Sequence, residues 1–164
     1  MPILDPRTFE FISRSPEQTR RLGARLGTLL QPGDLLCLSG DLGSGKTTMV
    51  QGVAQGWGTL DPVSSPTFVL VNAYRRPDGQ CLYHLDAYRL RDALEAEDLD
   101  LIQMLETGAL VLEWAERISS ILPQERLWVD LRWIAEEHRG MVIGAQGARY
   151  EALLGEFRQK VFGG

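Results

Sequence analysis

Residues Gly40 to Thr47 read GDLGSGKT, and they follow directly on the apolar run Leu35-Leu36-Cys37-Leu38. No other stretch limits the possible folds so strongly. Four apolar residues in succession are the mark of a strand buried on both faces. Gly40, Gly43 and Gly45 then let the backbone curl so that successive N–H groups point inward. A helix opening at Lys46 directs its unpaired first N–H groups at the same spot. The spacing G-x-x-x-x-G-K-[ST] between such a strand and such a helix is that of a phosphate-wrapping P-loop.

The chemistry of the loop assigns its members. Asp41, Leu42, Gly43, Ser44, Gly45, Lys46, Thr47 and Thr48 form the expected cradle. Lys46 spans the β- and γ-phosphate oxygens of a nucleotide, and Thr47 offers its hydroxyl to Mg²⁺. No N-K-x-D sequence occurs, so the aspartate that selects guanine has no counterpart and ATP is the expected nucleotide.

The rest of the chain supplies elements to surround that unit. Phe9 to Ile12 reads as a short strand. Ser15-Pro16-Glu17 places a capping residue before a proline, a normal helix start, and Leu22, Leu26, Leu29 and Leu30 give the helix an apolar face through Gln31. Pro32-Gly33-Asp34 is a turn. The helix from Lys46 to about Gln55 ends near Gly56 and Gly58. Asp61 to Pro66 is turn-like. Phe68 to Ala73 and Cys81 to Leu85 form a hairpin across Arg76-Pro77-Asp78-Gly79. Leu94, Leu99, Ile102 and Leu105 support one or two short helices. Ala109 to Leu112 is a second wholly apolar run closed by Glu113. Leu127 to Trp133 alternates like a strand with one wet side, Met141 to Ile143 is its partner, and Ala148 to Val161 is an amphipathic helix. The expected assembly is a single domain over residues 1–164, a three-layer α/β/α P-loop NTPase fold whose mostly parallel central sheet carries one or two antiparallel additions.

Composition removes several classes. A net charge of -5 argues against a broad surface for DNA or RNA, because such affinity comes from lysines and arginines neutralising phosphates. Contact with RNA is expected to be local or made through another protein. No apolar segment approaches the roughly 18 residues of a membrane span, and the early charges Asp5, Arg7 and Glu10 do not suit a signal peptide, so a cytoplasmic protein is expected. Cys37 and Cys81 lie in apolar runs without a CxxC spacing and are expected to be buried thiols.

A P-loop also needs a carboxylate for the metal shell at the end of a neighbouring strand. Glu113 has that placement, with helix capping as the plainer alternative. Asp86, in HLDAYRL, can position a water or join the Mg²⁺ shell, and can equally pair with Arg89 at the surface. Thr67 lies where a switch segment supplies a hydroxyl near the γ-phosphate, against a simple serine-capped turn. Trp114 suits stacking on a base or ordinary packing. Arg89 and Arg117 are the nearest candidates for charge on the transferred phosphoryl group. His84 is a poor general base and reads as a brace for Asp86 or Tyr88.

These segments together resemble the TsaE family of small bacterial P-loop ATPases. The resemblance rests on GDLGSGKTT (Gly40 to Thr48), SSPTF (Ser64 to Phe68), HLDAYRL (His84 to Leu90) and VLEW (Val111 to Trp114), in the family's order and spacing, and covers nearly all of the chain. It implies that Lys46 is the phosphate lysine, Thr47 the Mg²⁺ hydroxyl, Thr67 a switch-loop residue, Asp86 an acid needed for hydrolysis, Glu113 the second metal-shell carboxylate and Trp114 the tryptophan beside the nucleotide. Gln51 replaces an arginine often found in the P-loop helix, and Ala115 a proline often found after EW. The resemblance further implies a weak, Mg²⁺-dependent ATPase that acts with a complex of TsaD and TsaB. That complex transfers a threonylcarbamoyl group to adenosine 37 of tRNAs reading codons that begin with adenine, and tRNA would be contacted mainly through it. The rival from another class is a small-molecule or nucleotide kinase, which would need a second pocket and an arginine-bearing lid.

Overall fold

A computed structural model describes residues 5–41, 43–61, 63, 71–90 and 100–162. The strands are β1 (Thr8–Ser13), β2 (Leu35–Ser39), β3 (Val71–Arg75), β4 (Cys81–Asp86), β5 (Gly108–Glu113), β6 (Arg126–Trp133) and β7 (Arg139–Gln146). The helices among the described residues are α1 (Pro16–Leu29), α2 (Lys46–Trp57), α3 (Leu101–Thr107) and α4 (Ala148–Phe162), with single 3₁₀ turns at Ala87–Arg89, Ala115–Arg117 and Ser119–Ile121.

The strands form one sheet in the order β1-β7-β6-β2-β5-β4-β3. β6, β2, β5 and β4 pair in parallel, while β7 and β3 run against their neighbours. The two opposed strands match the antiparallel additions expected from the sequence. β2 is buried at all five positions, as a central parallel strand must be. Leu36 and Leu38 face α1, α2 and α4, whereas Leu35 and Cys37 face α3 and the 3₁₀ turns, so the sheet is the middle of three layers.

Local chemistry explains the boundaries. Ser15 caps α1 by accepting from the Gln18 backbone N–H at 3.1 Å, and Pro16 fills the first turn. Such a cap contributes about 1 kcal/mol. Gly58, at φ 97°, ends α2 two residues beyond the expected Gln55. The start of β2 is clamped from the far end of the chain: Arg149 reaches the buried Asp34 at 2.7 Å, and the Tyr150 hydroxyl accepts from Leu35 N–H at 2.9 Å. Cys37 is buried as expected, and burial pushes its thiol up to about 12. Cys81 is only half-buried, because it opens β4 beside the hairpin turn, so the expectation of two buried thiols holds for one. Residues 68–70 of the expected hairpin, Leu94 and Leu99 lie outside the described residues. Among the described residues, no helix is long and apolar enough to cross a membrane.

One packing feature was not anticipated. The pairs Gly23/Gly27 on α1 and Gly52/Gly56 on α2 interlock the two backbones. A methyl group on Gly27 would stand 2.1 Å from the Val53 carbonyl oxygen, and one on Gly56 would stand 2.0 Å from that of Ala24. Alanine gains up to about 1 kcal/mol over glycine in a helix interior. Overpacking against immobile backbone costs about 1–3 kcal/mol and outweighs that gain. Gly56→Ala is therefore expected to lower the urea midpoint, whereas Gly155→Ala in α4, where an added Cβ meets nothing within 4 Å, is expected to raise it slightly. Equal midpoints for the two variants would contradict this account of the seam.

Candidate functional site

Strand register brings the chemistry together. Leu38 pairs with Glu113, and Glu113 pairs with Asp86, so the carboxyl ends of β2, β5 and β4 finish at one level. Ligand crevices of open α/β sheets lie at such ends. Alternation along the strands then sorts the side chains. His84 and Asp86, two residues apart, share the sheet face turned toward α2, as do Val111 and Glu113.

The loop between β2 and α2 bends as its glycines require. Gly40 has φ 136° and sits so close to β6 that a Cβ would meet the Leu131 carbonyl oxygen at 2.2 Å; Gly45 has φ 103°. α2 opens at Lys46, so the N–H groups of Lys46, Thr47 and Thr48 have no acceptor within the helix. The Lys46 ammonium is buried across the loop, 2.5 Å from the Gly40 carbonyl oxygen, 2.8 Å from that of Asp41 and 3.2 Å from Ser44 Oγ. It also lies 4.0 Å from the centre of the Trp114 ring. Burial lowers the Lys46 pKa, opposed by the negative charge of Glu113, Glu116, Asp86 and Asp41.

Thr47 donates its hydroxyl to Glu113 Oε1 at 3.1 Å. Asp86 caps the following 3₁₀ turn by accepting from Tyr88 N–H at 2.9 Å. Burial raises its carboxyl above the usual aspartate range, with that hydrogen bond pulling the other way. Trp114 holds a left-handed backbone, φ 58°, which turns its ring onto Lys46 and 4.9 Å from the Tyr88 ring. A cleft of about 370 Å³ joins Gly43, Ser44, Gly45, Lys46, Thr47 and Thr48 with Asp86, Tyr88, Glu113, Trp114 and Arg139.

Most of the site residues expected from the sequence thus meet in one place. Asp41 contributes its carbonyl to Lys46 rather than its carboxylate to the cleft wall. Leu42 and Thr67 lie outside the described residues. Arg117 stacks 5.0 Å over the Tyr88 ring. His84 braces neither Asp86 nor Tyr88. Its Nε2 is 2.5 Å from Glu113 Oε2 and its Nδ1 is 3.0 Å from the Tyr74 hydroxyl, because its side chain points inward beneath the carboxylate, one strand away.

Two further residues escaped the sequence. Arg139 donates through Nε to the Gly43 carbonyl at 2.9 Å and through Nη1 to the Ala135 carbonyl at 2.8 Å, tying the phosphate loop to the β6–β7 hairpin. Glu116 accepts from Gly40 N–H at 3.2 Å. Only the strand order, which sets β6 beside β2, would have signalled Arg139.

A sharply bent glycine loop between a central parallel strand and the helix it feeds, with lysine and threonine opening that helix, places the chain among the P-loop proteins. The family model described as Threonylcarbamoyl adenosine biosynthesis protein TsaE matches residues 13–141. The tRNA threonylcarbamoyladenosine biosynthesis protein TsaE of Bacillus subtilis strain 168 is 41% identical over 144 residues, covering 87% of this chain and 89% of its own. That of Streptomyces coelicolor is 47% identical over 137 residues, covering 80% and 93%. The crystal structure of Bacillus subtilis YdiB superposes with a TM-score of 0.78 at 32% identity, covering 94% of this chain and 97% of that one. The chain belongs to the TsaE family, which takes part in tRNA threonylcarbamoyladenosine biosynthesis.

The Asp86 shift has a sign that can be checked. A carboxyl whose folded pKa is raised holds its proton more tightly in the folded chain than in the unfolded one. Its ionisation therefore costs stability once the pH exceeds the unfolded value, and that cost vanishes below it. Asp86→Asn is expected to melt above the parent at about pH 7, with the gap closing below about pH 3.9, the ordinary aspartate value. Thermal melts across that range decide it; a gap that widens in acid reverses the assigned cause.

Proposed function

We propose that this chain binds ATP with Mg²⁺ and hydrolyses it slowly to ADP and phosphate, in support of a TsaD–TsaB complex that places the threonylcarbamoyl group on tRNA. The observation that carries the reading is the meeting of Lys46, the Thr47–Glu113 pair and Asp86 in one cleft at the mouth of the glycine loop.

The residues present fit both groups. The loop offers unpaired helix N–H donors and a buried ammonium, the donor set that a polyphosphate needs. No cluster of three or more His, Cys, Asp or Glu poised for a cation occurs among the described residues. Mg²⁺ is held by one or two carboxylates plus substrate phosphates rather than by an all-protein cage. Thr47 and Glu113 would hold it, with Asp86 at the edge of the same space. When bound, Mg²⁺ supplies positive charge to the phosphate oxygens.

The chain's own groups then have distinct parts. Lys46 exchanges its contacts with Gly40, Asp41 and Ser44 for phosphate oxygens. Asp86, half-buried at the cleft wall, accepts a hydrogen bond from the attacking water and orients it. Trp114 and Tyr88 form an aromatic wall that narrows solvent access. The family resemblance assigns Thr67 the part of the switch-loop hydroxyl. Phosphoryl transfer depends chiefly on positioning, and an open cleft with few groups to fix a water leaves geometry for a partner surface to complete. This is the physical basis of the proposed dependence on TsaD and TsaB.

The test is phosphate release from ATP by the full chain, alone and with TsaD and TsaB. Stimulation by the pair is expected, and Lys46→Ala is expected to lower the rate about 100-fold or more. Maximal hydrolysis by the chain alone would remove the partner from the reading. Transfer of the label to an acceptor instead of to water would replace hydrolysis with a kinase reaction.

A further inference from the structure

His84 is completely buried and Glu113 is 2% exposed, yet the two polar groups touch. The path runs on in both directions: Tyr74 hydroxyl to His84 Nδ1 at 3.0 Å, His84 Nε2 to Glu113 Oε2 at 2.5 Å, and Thr47 Oγ1 to Glu113 Oε1 at 3.1 Å. It runs through the buried Tyr74, His84 and Glu113 of β3, β4 and β5 and ends at the half-buried Thr47 of α2, on the cleft wall. A carboxylate only accepts hydrogen bonds, so the donors on either side of Glu113 have to be His84 Nε2–H and the Thr47 hydroxyl. In a neutral imidazole with its proton on Nε2, Nδ1 is an acceptor, and the Tyr74 O–H is the donor that faces it.

We infer that His84 is a positioning residue for the cation site: its Nε2–H pins one oxygen of Glu113, so that the other oxygen, together with the Thr47 hydroxyl, is held toward the bound Mg²⁺. This rests on the nucleotide reading above. The geometry separates pinning from plain packing. Without the imidazole donor, the Glu113 carboxylate is free to rotate about its last torsion, and its buried Oε2 would have to find another donor by turning away from Thr47. The acceptor-only Glu113 carboxylate fixes the proton on Nε2, and the outer contact to Tyr74 keeps the ring from flipping. Orienting partners of this kind typically change metal affinity about 10- to 100-fold when removed.

Two replacements of matched polarity test the idea. Glutamine sets its amide nitrogen near the place of Nε2, facing Glu113; asparagine sets its own near the place of Nδ1, facing Tyr74. The measurement is ADP affinity of the full chain in EDTA and in Mg²⁺. His84→Gln is expected to keep the Mg²⁺-dependent gain within about threefold of the parent, and His84→Asn to lose about tenfold of it, while both bind ADP in EDTA as the parent does. A merely structural histidine would give equal losses in both variants, with and without the metal, and that result overturns the inference, as does an unchanged gain in His84→Asn. Nitrogen NMR of the parent imidazoles is an independent arm that needs no variant, since the chain has 2 histidines. A proton on Nε2 of His84 is expected, and one on Nδ1 alone would refute the wiring even if a variant failed to fold. Absence of any Mg²⁺-dependent gain in the parent would sink the nucleotide reading instead, with the NMR result still deciding the proton's place.

Discussion

The carboxylate of Glu113 is the junction on which the site depends. It sits at the last position of a central strand, shut away from solvent, and each of its oxygens is taken by a different element. An ionised carboxylate in that position would cost several kcal/mol if left unpaired. Its two hydrogen bonds and the nearby Lys46 charge make it tolerable, and in doing so they lock α2 to β4 and β5. The start of the phosphate loop's helix is thereby held against the sheet by a polar contact that also presents a hydroxyl and a carboxylate side by side.

Apolar packing supplies the stiffness behind that junction. The α1–α2 glycine seam brings the two helix backbones into direct contact, so α2 is backed by main chain of α1 as well as by the side chains of Leu22 and Leu26. On the opposite edge, Arg139 secures the loop to the β6–β7 hairpin, and Arg149 with Tyr150 fixes the other end of β2. The strand feeding the loop, the helix leaving it and the hairpin beside it are each tied down separately. A loop of glycines held on three sides keeps its N–H groups aimed inward without needing large side chains of its own.

Much of this was legible in the chain, for reasons that can be named. The strand before the loop, the helix after it and the place of Glu113 follow from unbroken apolar runs and a fixed motif spacing, which are local signals. The same holds for the Ser15 cap and for the β6–β7 pair. What escaped was long-range. The contact of His84 with Glu113 spans 29 residues, and that of Arg139 with Gly43 spans 96. Neither has a periodicity, because each depends on strand order and on the face a residue takes in a sheet whose order is not sequential. The glycine pairs were visible as a four-residue repeat in two helices, yet their meaning is a property of the pair of helices and not of either one.

The charges around the cleft explain why nucleotide and cation belong together on the proposed reading. Lys46 stands among the negative charges of Glu113, Glu116, Asp86 and Asp41, which offset much of the positive charge at the loop. A bare triphosphate approaching that set would meet repulsion from the carboxylates that Lys46 and Arg139 have to offset, since at a few ångströms each unit pair in a medium of effective dielectric about 20 is worth about 4 kcal/mol. A divalent cation arriving with the phosphates changes the sign of that balance, and the Thr47–Glu113 pair is where its charge is compensated. On the proposed reading, the carboxylates around Lys46 would favour the metal-bound form of the nucleotide over the bare one.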